Sequence, residues 1–139
     1  MANALYDLAR QSFLDQNPSI DWDTDNIKVC LVRGYTVNLT THQFLSDVTG
    51  GGGGTIVATS ANLAGKTATL GVANATNITF TAVGAGAACP YLIIYKDTGV
   101  AGTSPLIAYI DTATGLAVTP NGGDITVQWD AAANKIFKL

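Results

Sequence analysis

The stretch PNGGDITVQWD (120–130) decides the fold class. Asn121-Gly122 is a pair that supplies the positive φ angles a tight hairpin demands. Immediately after it the side chains alternate: Ile125, Val127 and Trp129 point one way, Thr126 and Gln128 the other. That period of two is the signature of a half-buried strand, and the flanking turn chemistry marks where it starts.

Working outward, the same pattern recurs along the chain. Ile27–Arg33 reads as a buried strand, with Ile27, Val29 and Leu31 alternating against Lys28 and Cys30. Further strands are predicted near 55–59, 67–72, 78–83, 91–96, 106–111 and 135–139, separated by turn signals such as Asp97-Thr98-Gly99 and Thr114-Gly115. Only the beginning departs from this. Across residues 2–15, Leu5, Leu8, Ala9 and Phe13 recur at helical spacing, and Pro18 forbids continuation past Asn17. A short second helix is predicted over 41–47. The expected architecture is therefore one mainly β domain spanning 1–139, an antiparallel sandwich or barrel carrying an N-terminal α-helix.

Composition narrows the function classes. The 139 residues are enough to build a core without disulfides or metal. Charged residues make 12% of the chain, against about 25% in an average soluble domain. A surface this poor in charge is weakly defended against association, which suits a protein that packs against neighbours. All ten acids are Asp, a residue of turns and strand ends. The seven basic residues are scattered and the net charge is −3, which excludes the clustered basic footprint of nucleic-acid binding. No apolar run approaches a membrane span. The opening MANALYDLARQSF lacks the basic and apolar regions of a signal peptide, so synthesis is expected in the cytosol. Cys30 and Cys89 sit in apolar strand-like runs and are expected to be reduced core thiols.

Motifs for chemistry fail on their own geometry. His42 is the sole histidine, and a triad with Ser46 lacks the nucleophile elbow and oxyanion site that acyl transfer needs. Ala64-Gly65-Lys66-Thr67 ends like a phosphate-binding loop, but Ser60 stands where its first glycine belongs, and a strand pattern follows instead of a helix. Asp21, Asp23 and Asp25 alternate like the start of a calcium loop, yet Asn26 and Val32 occupy the positions of the required Gly and Glu. These acids are expected to cap the approach to the Ile27 strand, with a loose cation contact as the alternative. No catalytic residue, metal or cofactor is expected. The five glycines Gly50–Gly54 read as a mobile loop, or else as a backbone contact with a partner.

The stretches LIIYKDTG (92–99), LIAYIDTATGLAVTPNGGDITVQWD (106–130) and ANKIFKL (133–139) resemble a family of small virion proteins of tailed bacteriophages. The opening MANALYDLARQSFL, the strand DNIKVCLV, and YTVNLTTHQFLSDV followed by TSANLAGKT are similar to the same family, so the resemblance covers most of the chain. It implies a phage structural protein located in the virion. A capsid decoration (cement) protein that binds the major capsid protein is the first expectation, as a homo-oligomer and in first place a trimer. A tail, baseplate or adaptor protein is the second. A carbohydrate-binding β-sandwich is a third reading from a different class, with Trp22 as its best exposed aromatic and Trp129 assigned to the core. The expected partner contacts are Leu5, Leu8 and Phe13 on the helix, and His42, Phe44, Gly50, Gly51, Gly52, Gly53 and Gly54 in the 41–54 segment.

Overall fold

The computed structural model describes residues 3–113, 115–133 and 135–139. The turn at Thr114-Gly115 and the expected helix start at Ala2 each fall partly outside them. The main sheet has five strands, all antiparallel: β1 (Ala4–Leu5), β8 (Leu106–Ile110), β7 (Tyr91–Lys96), β2 (Ile27–Arg33) and β3 (Thr55–Thr59), in that spatial order. A three-stranded sheet runs β10 (Phe137–Lys138), β5 (Val72–Asn74), β4 (Thr67–Thr69), and β6 (Ile78–Phe80) pairs with β9 (Ile125–Val127). The helices are α1 (Asp7–Asp15) and α2 (Leu45–Thr49). The protein is thus mainly β and antiparallel with one N-terminal helix. Its sheets are open and layered, sandwich-like rather than closed into a barrel.

Register explains the core. Leu31, Leu92 and Ile110 lie directly opposite one another across β2, β7 and β8, and Val29, Ile94 and Ala108 form the next row on the same face. Cys30, Ile93 and Tyr109 form a row on the other face. Both faces are covered, so Cys30 is as buried as Val29, and the simple alternation expected for β2 fails there. Only Lys28 and Arg33 reach partly into solvent.

Tertiary pairing moves several boundaries. The helix expected from residue 2 starts at Asp7, because Ala4 and Leu5 pair with Tyr109 and Ala108 at the sheet edge and Leu5 enters the core. The helix expected over 41–47 starts only at Leu45. Gln43 and Leu45 are held to the sheet instead, through Leu106 N–H to Gln43 O and Leu45 N–H to Ser104 O. Asp47 then caps the helix by accepting the Gln43 and Phe44 N–H groups at 2.8 and 2.9 Å. The strand expected over 67–72 is a hairpin, β4 and β5, turning at Leu70-Gly71. β6 stops at Phe80 and β9 at Val127, although half-burial alternates with exposure as far as Trp129. The last strand is limited to Phe137–Lys138.

Candidate functional site

The expected contact residues fall into two groups, and the structure treats them differently. On the N-terminal side, Leu5 is buried, Leu8 and Phe13 are half-buried, and Phe13 stacks obliquely on Phe137 at 6.4 Å. Leu5 is therefore a core residue and not a surface contact. The helix residue that does face solvent is Leu14, which is 88% exposed. The helical spacing did not single it out, because it stands off the stripe defined by Leu5, Leu8, Ala9 and Phe13.

The 41–54 segment closes over the Tyr-rich face of the main sheet. Tyr35, just beyond β2, packs edge-on against Tyr91 and Tyr109 and stacks on His42 at 5.6 Å. Its hydroxyl bonds Tyr6 Oη at 3.0 Å and His42 Nδ1 at 2.7 Å. Burial pushes the Tyr35 phenol up to about 12. It raises Tyr6 further, burial being the larger cause and the Tyr35 hydrogen bond the next. These hydroxyls act as neutral hydrogen-bonding groups and not as proton donors to solvent.

The glycines form a folded loop on this corner. Gly50, Gly52 and Gly54 donate their N–H groups to Ser46, Asp47 and Val48 carbonyls, and Thr36 N–H donates to Gly52 O at 2.9 Å. Gly52 and Gly54 are buried, whereas Gly50, Gly51 and Gly53 are exposed. A side chain at Gly52 would collide with the Tyr35 ring. The run thus makes a close backbone approach inside the chain. His42 and Phe44 are half-buried beside it. Of the ten expected contacts, Gly50, Gly51 and Gly53 remain fully available, with His42, Phe44, Leu8 and Phe13 partly so.

The remaining motifs resolve locally. Gly65 takes a positive φ of 60° and Thr67 opens a strand, so the Lys66 region is a turn. Lys66 Nζ donates to the Asp25 carbonyl. Asp25 Oδ2 accepts the Asp21 N–H at 2.8 Å and pairs with Lys96 Nζ at 3.0 Å. Asp21 and Asp23 act on each other as neighbouring carboxyl groups, which raises Asp23 and lowers Asp21. The lysines occupy the electrostatic place of a cation, and among the described residues no cluster of His, Cys or Asp could hold a metal ion. Cys30 and Cys89 are both free and buried, and burial pushes the Cys30 thiol up to about 12.

Trp22 is a correction. Expected at the surface, it is 5% exposed, edge-on to Phe137 at 5.2 Å, with its indole N–H donated to Asn74 O at 3.1 Å. It offers no face for stacking a sugar. Trp129 is half-buried against the core as its alternation implies.

A cleft of about 880 Å³ opens between the Leu31–Leu92–Ile110 row and the strand and loop carrying Ile125, Val127 and Trp129. No helix among the described residues is long and apolar enough to cross a membrane. Taken together, the class defined is a mainly antiparallel β protein with one N-terminal helix. No protein-family model matches the chain, and no curated protein is a significant match to it.

Proposed function

We propose that the chain is a structural component of a tailed-phage particle, in first place a capsid decoration protein that binds and stabilises the shell of the major capsid protein. The observation that carries the reading is a chain poor in charge that leaves several large apolar side chains uncovered. Leu14, Leu70, Val100 and Leu139 are all more than half exposed in a chain where only 12% of residues are charged. Such side chains gain by being covered, at roughly 25 cal/mol per Å² of apolar surface removed from water. The resemblance of 106–130 and 133–139 to small virion proteins supplies the particle as the place where this happens. Binding only the assembled shell would stabilise that shell by mass action, increasingly so with occupancy. The buried Trp22 weighs against the sugar-binding alternative. Mass spectrometry of separated heads and tails from purified particles tests the proposal: many copies on heads support decoration, a few copies in tails favour the adaptor reading, and absence from both rejects a virion role.

A further inference from the structure

His42 is the only histidine of the chain, and it stands half-buried where the turn at 38–42 meets the Tyr35 ring. The turn is closed by His42 N–H to Asn38 O at 3.0 Å, and Asn38 Oδ1 accepts the Thr40 and Thr41 N–H groups at 3.1 Å. It is fastened to the body by Asp7 N–H to Leu39 O, by Thr40 Oγ1 to Asp7 Oδ2, and by the imidazole itself.

From that imidazole two hydrogen bonds run inward in line, Nδ1 to Tyr35 Oη and Tyr35 Oη to Tyr6 Oη. With a neutral ring the protons match the links. Tyr6 gives its hydroxyl proton to Tyr35, Tyr35 gives its own to Nδ1, and Nε2–H lies beside the exposed Gly51. A second ring proton must sit on Nδ1, where the Asn38 N–H also points at 3.3 Å. Three protons then share two links. Among the described residues neither hydroxyl has a further partner, so whichever way they turn, one O–H is left without an acceptor. Tyr6 is fully buried and Tyr35 is 4% exposed, so water does not reach it in the closed segment. Nor can a phenol shed the surplus proton, since burial pushes Tyr35 up to about 12 and Tyr6 further.

An unpaired buried donor costs its whole desolvation. The charged groups on the elements packed here are Asp7 at the start of α1 and Asp47 in α2, with the phenols of Tyr91 and Tyr109 behind Tyr35. The carboxylates favour a charged ring, but Asp7 is engaged by Thr40 and Asp47 by the Gln43 and Phe44 N–H groups. Neither forms an ion pair with His42 among the described residues, and an unpaired carboxylate near solvent returns less than the orphaned hydroxyl costs.

We infer that His42 is an acid-released latch: when its ring takes a second proton, the 36–43 segment lifts from Tyr35 and uncovers the corner of Tyr35, Tyr91 and Tyr109. The latch needs no partner, so it holds whether or not the chain belongs to a particle. The open segment accepts the proton more readily than the closed one. Closure is therefore complete above the range in which an imidazole takes up its second proton, and is lost as pH falls through it.

Hydrogen exchange of the full-length chain, corrected for the intrinsic effect of pH, tests the latch. From about pH 7.5 to about pH 5.5, across the ordinary imidazole range, protection of the Thr36, Asn38 and His42 amides should fall at least about tenfold while the amides of β2 and β7 hold. His42→Asn puts an acceptor that cannot be protonated at the Nδ1 position, and should stay closed across the same range. Tyr35→Phe removes the link at which the proton count fails. Its segment should be looser at both pH values, without the pH dependence. Wild-type protection that does not change with pH overturns the inference. So does a loss of wild-type size in His42→Asn, which would put the trigger on Asp7 or Asp47, or in Tyr35→Phe. A loss spread equally over β2 and β7 overturns it too, because that is global unfolding. Wild type and Tyr35→Phe decide the matter by themselves if asparagine at 42 does not fold.

Discussion

The Tyr35 hydroxyl lies 2.7 Å from His42 Nδ1, and the Asn38 N–H reaches the same nitrogen at 3.3 Å. An amide can only donate, so Nδ1 is the unprotonated nitrogen and the ring proton sits on Nε2. Tyr35 therefore donates to His42, and Tyr6, 3.0 Å behind, donates to Tyr35. One directional chain ties β1's end to the 41–54 segment.

Breaking that chain should be cooperative. His42→Ala leaves a buried hydroxyl without its acceptor and should lower stability by about 1–2 kcal/mol. Tyr35→Phe strands the Tyr6 hydroxyl and should cost a similar amount. In urea titrations the double variant should lose clearly less than the sum, because both single changes interrupt the same chain. Additive losses would mean that the hydroxyls are independently solvated.

The glycine loop makes a graded prediction. Gly52→Ala drives a methyl group into the Tyr35 ring, which its two hydrogen bonds hold in place, and should cost about 2 kcal/mol or more. Gly53 has open space but a φ of 64°, so alanine there should cost about 1 kcal/mol from backbone strain alone. At Gly51 the nearest atom, His42 Nε2, would stand 3.6 Å away, and alanine should be nearly neutral. Thermal melts of the three variants check the order. Equal effects would mean that the Gly52–Tyr35 approach does not constrain the loop, as the mobile-loop expectation has it.

These residues also mark how far the sequence could be read. Short strand-like runs punctuated by turn signals located β2, β3, β7 and β8 closely, although alternation does not survive in the burial of β2, whose two faces are both covered. The sequence could not show that 67–72 folds back on itself, since Leu70 is not a residue that announces a turn. Nor could it tell that Ala4 and Leu5 leave a helical pattern to join a strand more than one hundred residues away, because non-local pairing has no local signature. Trp22 looked exposed beside three aspartates, but its burial depends on Phe137 and Asn74, both far along the chain. Among the expected contacts, Leu5 and the buried glycines were misplaced for the same reason: hydrophobicity and flexibility are local properties, and exposure is not.

Acid should weaken one identifiable link. Asp97 accepts from Lys28 Nζ at 2.7 Å and from the Gly99 N–H at 3.0 Å, and the Lys28 contact is the main cause holding its carboxyl below the usual carboxylate range. A folded-state pKa below the unfolded value of about 3.9 gives stability that is present above that pH and lost as pH falls through the folded value. Both side chains are about a quarter exposed, so Asp97→Asn should cost only about 0.5–1 kcal/mol at neutral pH. The difference from wild type should shrink with added salt and close as pH falls through the folded-state value. A gap that persists in strong acid would trace to packing instead of charge.

Trp22 should behave as the fastener between the segment entering β2 and the three-stranded sheet. Trp22→Phe keeps an aromatic body against Phe137 but deletes the hydrogen bond to Asn74 O, and should cost about 1 kcal/mol. Trp22→Ala empties the site and should cost about 3–5 kcal/mol. The edge-on pair with Phe137 predicts a coupling of about 0.5–1.5 kcal/mol between Trp22→Ala and Phe137→Ala in a double-mutant cycle. Zero coupling would mean that the C-terminal strand is held by its backbone ladder with Ala73 and Val72 alone. With the ring enclosed in this way, titrating the native protein with polysaccharide should leave Trp22 emission unchanged, and a quench on binding would reopen the sugar-recognition reading.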